Sequence, residues 1–383
     1  MTAPARVGID ARKLKDYGIG SYIRNLLQAI GRREESERYR FRVYVRAADR
    51  DALPPLPPHF EIADEESPGY SVAELTGFAW RIFRDRLDLF HATHYVLPPL
   101  PKTLAVVTIH DIIHLLYPQY LPNRAAHAYA RFMIRHALNR ADRIITVSYN
   151  TKRDLTDYFG VPGARTDVIY NGVSEMFRPD VPDLERRRVA ARHGLTSPYL
   201  LFLGGEKPHK NVQNVVRAFA EARRRRELPQ SLVLAGPLPK NPGRLEALIS
   251  ALDLESCVKR PGIVDEEDLP GLYAGADALL YPTLYEGFGL PVIEAMACGV
   301  PVLTSGTSAL QEIAGGYAYL VDPMDVEAIA TGIVLLATDE KVRADYAELG
   351  KKRALDFSWD KAAERTLEVY GAALGEPAPR EPE

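Results

Sequence analysis

Residues 281–305 read YPTLYEGFGLPVIEAMACGVPVLTS, and how this stretch is parsed decides the fold. The run before it, Asp277 to Tyr281 (DALLY), predicts a buried strand. Pro282 to Leu290 predicts a loop, in which Gly287 and Gly289 let backbone N–H groups approach a ligand closely. Pro291 suits the start of a helix, where its missing N–H costs nothing. Val292 to Cys298 continues that helix, Gly299 stops it, and Pro301 to Thr304 begins the next strand.

Two carboxylates bracket the loop. Glu286 precedes the glycines, and Glu294 lies about one turn inside the helix. Helical side chains lean toward the N-terminus, so Glu294 is expected to point back over the helix mouth. That mouth offers unsatisfied N–H groups and partial positive charge, a seat for phosphate. Acids on either side of an anion site suit hydroxyl groups bound next to a phosphate, which is the shape of a nucleotide sugar. Taken singly, Glu286 is a solvated loop carboxylate and Glu294 a cap on its own helix. The two together, with GFGLP between them, are far more specific.

EGFGLPVIEAMACGVPV resembles the signature of the retaining glycosyltransferases of the glycogen synthase-like superfamily, family 4, with the GT-B fold. Glu286 and Glu294 match its two glutamates, with seven residues between them. The resemblance implies that Glu286 contacts the transferred sugar and that Glu294 holds the ribose. It also implies that backbone N–H groups of Gly287, Phe288, Gly289 and Leu290 meet sugar and diphosphate.

At 383 residues the chain is long for one core, and two domains are expected. The net charge of −3, built from many charges of both signs, gives no global case for nucleic-acid binding. Two cysteines, Cys257 and Cys298, sit in unrelated contexts, which suits a reducing, cytoplasmic compartment and supplies no disulfide or zinc framework. The start, MTAPARVGIDAR, lacks an apolar signal region. No apolar run approaches the roughly 20 residues that span a bilayer. The sequence therefore predicts a soluble protein, at most peripheral on the inner face of a membrane.

In the first half, Val7 to Ile9 predicts a strand, and Ile23, Leu26, Leu27 and Ile30 recur at helical spacing from about Ser21. Gly18 and Gly20 then lie just ahead of that helix. They lack the third glycine and the tight turn of a dinucleotide fingerprint. The family resemblance implies instead a glycine-rich loop facing donor phosphates and acceptor. Strands are expected at Phe41 to Val45, Leu87 to His91, Leu104 to Ile109, Arg143 to Val147 and Asp167 to Tyr170. Asp49-Arg50-Asp51 spells the DxD triplet of metal-dependent glycosyltransferases but lies in a charged segment leading into prolines, and reads as solvated surface. His110 and His114 have HxxxH spacing, yet the first follows a strand and Pro118 comes soon after, so a zinc-protease helix is rejected. His110 sits instead at the C-terminal end of a predicted parallel strand, where open α/β sheets place ligands. The resemblance puts a histidine–aspartate pair here, with His110 near the transferred sugar. Arg124 to Arg140 alternates basic and apolar residues, as a core-facing helix with a basic outer face or as a membrane-surface helix. Asn171-Gly172 marks a turn before a linker placed near residues 176–184.

In the second half, Tyr199 to Leu203 predicts a strand running into GGEKPHKN, followed by a helix marked by Val212, Val215, Val216 and Phe219. The glycines and the final Lys210 face a phosphate without forming a P-loop, because Asn211 stands where Ser or Thr is required. Many family members carry a diphosphate-binding arginine where this chain has Gly205. Lys210 is the matched cation, with Lys207, His209 or backbone N–H groups supplying the rest. Further strands are expected at Ser231 to Ala235 and Cys257 to Arg260, a capped helix start at Asp265, and a helix from Val326 to Ala337. Phe357, Trp359 and the helix through Tyr370 resemble the family's terminal segment, which crosses back onto the first domain. The tail GEPAPREPE is expected to be disordered.

The expectation is an α/β chain of two doubly wound, Rossmann-like parallel-sheet domains facing a central cleft. Residues 1–178, completed by the helix at 357–375, form the acceptor side, and 179–356 the donor side. The resemblance implies a mannosyltransferase-like, metal-independent, retaining enzyme that moves a hexose to a glycan or lipid-linked acceptor. GDP-mannose is the leading donor, with UDP-sugars sharing the same frame. Catalytic roles fall to Glu286, His110 and Lys210. Gly18, Gly20, Gly204, Gly205, Lys207, Gly287, Phe288, Gly289, Leu290 and Glu294 are assigned to substrate binding. A nucleotide-sugar 2-epimerase of the same fold and a non-catalytic sugar-nucleotide binder are the competing readings.

Overall fold

The computed structural model describes residues 4–69, 71, 73–100, 102–121, 123–238 and 243–376; most of the tail GEPAPREPE lies outside them. The chain divides into two units, Met1–Gly172 with Ser358–Glu383, and Val173–Phe357.

The first unit is built on strands β1 (Ala5–Asp10), β2 (Tyr39–Val45), β3 (Phe60–Asp64), β4 (Leu89–Ala92), β5 (Leu104–Ile109), β6 (Arg143–Thr146) and β7 (Thr166–Val168). They form one sheet in the order β3-β2-β1-β4-β5-β6-β7. Every pairing is parallel. Such a sheet is covered on both faces, and its central strands β4 (LFHA) and β5 (LAVVTI) are accordingly almost wholly buried. Ile23, Leu27 and Ile30 of the helix Tyr17–Arg32 and Leu367 and Tyr370 of the helix Trp359–Leu374 share one core cluster with β1 and β2. Ile134 and Leu138 of the helix Arg124–Arg140 share another with Phe78, Ile82 and β5.

The C-terminal helix belongs to this first unit. Ser358 caps its start by accepting from the N–H groups of Asp360 and Lys361. Its Tyr370 hydroxyl lies 2.6 Å from Nδ1 of the buried His91, whose Nε2 lies 2.8 Å from Thr108 Oγ1. Gly172 makes this return possible: a Cβ there would sit 2.1 Å from the backbone nitrogen of Trp359.

The second unit carries β8 (Tyr199–Leu203), β9 (Ser231–Ala235), β10 (Val258–Gly262), β11 (Ala278–Tyr281), β12 (Val302–Ser305) and β13 (Tyr319–Val321). Their order is β10-β9-β8-β11-β12-β13, again all parallel. In both sheets the order reverses once, at β1/β4 and at β8/β11. Doubly wound sheets bind ligands in the crevice beyond the C-terminal strand ends at that reversal. In the second unit those ends run directly into Gly204-Gly205 and into Pro282 to Gly289.

Several expectations need correction. The first helix begins at Tyr17, so Gly18 and Gly20 lie inside its first turn and not in a loop ahead of it. Ile19 and Tyr22 extend the apolar face one turn earlier than the spacing from Ile23 suggested. Gly20 is a packing glycine, since a Cβ there would meet the Leu14 carbonyl oxygen at 2.2 Å. Gly18 is exposed. The change of unit falls at Gly172–Val173, ahead of the 178/179 boundary and of the predicted linker, because Phe177 already packs in the second unit's core, 5.8 Å from the Tyr273 ring. Asp265 does not cap with its side chain and pairs instead with Arg192 at 2.6 Å. The strands β3 and β13 and the helix Glu340–Ala354 carried no distinct sequence signal.

Candidate active site

The site grows from two loops at the β8/β11 reversal. After β8, the chain turns through Gly204 and Gly205 into a 3-10 turn, Pro208–Lys210, and then the helix Val212–Arg225. Gly204 approaches its neighbour strand closely. A Cβ on Gly236, at the end of β9, would lie 2.4 Å from the Gly204 oxygen. Asn211 adopts the left-handed conformation (φ 62°) and staples the two loops. Its amide donates to the carbonyls of Pro282 at 2.9 Å and Pro323 at 2.6 Å. The Leu284 N–H adds a bond to the His209 carbonyl at 2.8 Å. The residue that rules out a P-loop is therefore the one that fixes this arrangement.

Lys210 is brought directly onto Glu286. Its Nζ donates to Glu286 Oε1 at 2.8 Å and to the Tyr281 hydroxyl at 2.7 Å, and that hydroxyl donates to Glu286 Oε1 at 3.1 Å. Burial alone would lower the lysine's pKa, but the Glu286 carboxylate and the Tyr281 oxygen raise it, so the amine stays an ammonium. Burial pushes the Tyr281 phenol far up, keeping it a neutral donor. The Glu286 backbone is held too: its N–H donates to Ser308 Oγ at 3.1 Å.

The helix beyond the loop runs Leu290–Ala297, with Gly289 as its N-cap (φ 104°) and Pro291 within its first turn. Only glycine fits at 289, where a Cβ would also meet Leu310 Cδ2 at 2.5 Å. The N-terminus of this helix thus begins a few residues after Glu286. Phe288 is buried edge-on against Phe357, with ring centroids 5.7 Å apart, so its backbone and not its ring is what it can offer a ligand.

Glu294 is half-buried, and its Oε2 accepts from the Tyr273 hydroxyl at 2.8 Å. Burial pushes its carboxyl up to about 7; the Tyr273 hydrogen bond opposes this and the nearby Glu266 charge adds to it. The second cation is not resolved by proximity to a carboxylate. Lys207 is exposed at the head of the 3-10 turn, while Arg260 of β10 is engaged by Glu206 and Glu246. Gly205 is not demanded by packing, since a Cβ there would make only ordinary contact with Pro237 at 3.7 Å.

In the first unit, His110 follows β5. Its Nε2 donates to the Thr93 carbonyl at 2.9 Å, and its ring meets Tyr22 edge-on at 4.8 Å. Burial lowers its pKa, so the ring is neutral at pH 7. With Nε2–H committed to a carbonyl, Nδ1 is left as an acceptor. Asp111, beside it, accepts from the Ile113 N–H at 3.0 Å. Asp49 and Asp51 both lie near the Lys15 amine, at 3.3 and 3.5 Å, as a surface pair would.

Lys210, Glu286, the glycine turn and the helix mouth thus form one cluster within the second unit. Gly18 and Gly20 are not part of any loop of this kind. Sequence reasoning missed Tyr281 and Tyr273, each of which donates a phenol hydrogen to one of the two glutamates. The available signal was position: Tyr281 is the last residue of β11, where a strand delivers its final side chain to the ligand edge.

Known proteins resemble most of the chain. A profile described as Glycosyltransferase Family 4 matches residues 17–176, and one described as Glycosyl transferases group 1 matches 185–353. The O-antigen chain mannosyltransferase B of Escherichia coli is 32% identical over 294 residues, covering 76% of each chain. Among solved structures, sucrose-phosphate synthase from Thermosynechococcus elongatus aligns with a TM-score of 0.76 at 20% identity, over 97% of this chain and 99% of that one. HepE of Anabaena, solved in complex with UDP-glucose, aligns with a TM-score of 0.75 at 18% identity, over 96% and 99%.

Proposed function

The chain belongs to the family 4 glycosyltransferases with the GT-B fold, and from that premise we propose that it transfers mannose from GDP-mannose, with retention of configuration, to a glycan or lipid-linked acceptor. The observation that carries this reading is the Lys210–Tyr281–Glu286 cluster beside the helix N-terminus at Gly289, at the reversal of the second sheet. Support for mannose comes from the E. coli relative, whose name specifies it.

The chemistry follows from where charge develops. Breaking the bond from sugar C1 to the diphosphate oxygen leaves negative charge on phosphate and positive character on the sugar. The Lys210 ammonium, the N–H groups of the Gly204-Gly205 turn and the helix mouth at Gly289-Leu290 stabilise the departing diphosphate. Lys207, free to swing from the head of its turn, adds the second charge. Glu286 offers its carboxylate to the sugar, and Glu294 offers its own to the ribose hydroxyls. The acceptor oxygen forms the new bond to C1 on the face the diphosphate leaves, and its proton passes to a departing phosphate oxygen. No dedicated base is then required. His110 Nδ1, as an acceptor, suits a sugar hydroxyl.

In this reading the diphosphate charge is met by cations and dipoles of the chain, and turnover needs no divalent metal. Contact with a bilayer surface is part of the same proposal. The helix Arg124–Arg140 has no acidic residue, and it exposes Phe132 (64%) between Arg131 and Arg135. Among the described residues, no helix is long and apolar enough to cross a membrane.

The test is a panel of GDP- and UDP-sugars assayed with and without chelator, reading transfer and donor hydrolysis. Turnover of GDP-mannose in chelator, with an α-linked product, is the expected result. Turnover confined to UDP-sugars, or activity lost in chelator and restored by a divalent ion, would overturn the corresponding part.

A further inference from the structure

The three polar atoms at the centre of the site leave a specific remainder. An ammonium has three N–H bonds, and Lys210 spends one on Tyr281 and one on Glu286 Oε1. The phenol has a single hydrogen. It receives from Lys210, so that hydrogen goes to Glu286 Oε1. Oε1 thus accepts twice, while Oε2 of Glu286 has no protein partner among the described residues. One N–H of Lys210 and one oxygen of Glu286 remain, and their directions are set by the bonds already made.

We propose that Tyr281 is a positioning residue whose hydroxyl, shared between Lys210 and Glu286, aims the last ammonium hydrogen at the donor diphosphate and the open carboxylate oxygen at the sugar. This rests on the function proposed above and names a further part of the same site.

Several features suit the phenol to that task. Tyr281 is fully buried at the end of β11, so its ring cannot wander. Its carbonyl accepts from Thr304 Oγ1 at 2.9 Å, fixing the strand end from the neighbouring β12. The Lys210 amine lies 5.2 Å from the centre of the same ring, so the aromatic face also favours the cation's position. A phenylalanine would keep the ring, its packing and this contact. It would lose only the oxygen that joins the two charged groups. Without that oxygen, Lys210 and Glu286 can still pair, but with one shared bond they are free to rotate about it.

Charge on the diphosphate grows as the sugar bond breaks, so misaiming the ammonium weakens the transition state more than the bound donor. Tyr281→Phe is therefore expected to lower kcat by about 10- to 100-fold and to change the donor KM by less than about threefold. Its melting temperature should stay near that of the parent chain. In a Lys210→Ala background the loss caused by Tyr281→Phe should shrink, because one of the two groups being aimed is gone.

The measurements use the full chain and the nucleotide sugar that the donor panel identifies. An unchanged kcat in Tyr281→Phe would overturn the inference and leave the proposed function standing. So would a loss confined to KM. If the parent chain turned over no nucleotide sugar, the functional reading would fail first and this inference with it.

Discussion

Replacing Glu294 by glutamine should stabilise the protein, and by more at high pH than at low. The carboxyl moves from 4.5, its ordinary value, up to about 7 in the folded chain, chiefly through burial. A raised acid favours the protonated form. Its contribution to stability is therefore complete below 4.5 and is lost as pH rises through 7. Integrating that shift between pH 5 and pH 8 gives a loss of about 2 to 3 kcal/mol. Glutamine keeps an oxygen to accept from Tyr273 but cannot ionise, so it escapes the loss. The margin of Glu294→Gln over the parent chain should thus widen by about 2 to 3 kcal/mol across that range. Urea unfolding of both proteins at pH 5, 6, 7 and 8 reads it directly. Donor binding should move the other way, since the amide is a poorer acceptor for ribose hydroxyls than the carboxylate. A margin that did not change with pH would refute the argument that burial holds this acid in check. A variant less stable than its parent at pH 8 would do so too.

Lys210→Ala should lower kcat/KM for transfer by about 10²- to 10³-fold, the usual cost of removing one donor aimed at developing charge. Steady-state kinetics with saturating acceptor would show it. Gly172→Ala should destabilise the first unit by at least about 2 kcal/mol, because the new methyl would sit 2.1 Å from the Trp359 nitrogen and the returning helix would have to shift. Thermal unfolding would register this as a clear drop in midpoint. The chain should co-sediment with vesicles rich in anionic lipid and lose that association in an Arg131→Glu, Arg135→Glu double variant, while vesicles of neutral lipid retain little of either protein.

Much of this was legible in the sequence because the signals were local. The strands Leu104–Ile109, Tyr199–Leu203 and Ser231–Ala235 and the helix Arg124–Arg140 were readable to the residue, each a short apolar run or a clean 3.6 period with punctuation at both ends. The pairing of Lys210 with Glu286 needed the family resemblance, since nothing local joins residues 76 apart. What stayed hidden depends on packing across the sheet. The start of the first helix was misplaced because Gly18 and Gly20 read as loop, whereas Gly20 is there to let the Leu14 carbonyl come close. Phe288 was expected to offer its backbone N–H, and what the sequence did not show is where its ring goes, against Phe357. Tyr281 and Tyr273 looked like ordinary strand and helix aromatics, and only the geometry shows that each phenol serves a glutamate.

The return of the last helix to the first unit sets an order of assembly. The segment from Val173 to Phe357 is contiguous, so all it needs to close its sheet has been synthesised before residue 358 is added. The first unit is different: its seven strands are made early, but Tyr370, which meets His91, is made only after the whole second unit. Until then one face of that sheet lacks part of its cover, and His91 Nδ1 lacks its partner. A message cut short after Phe357 would yield one finished half and one with an open apolar flank, a natural handle for chaperones and proteases.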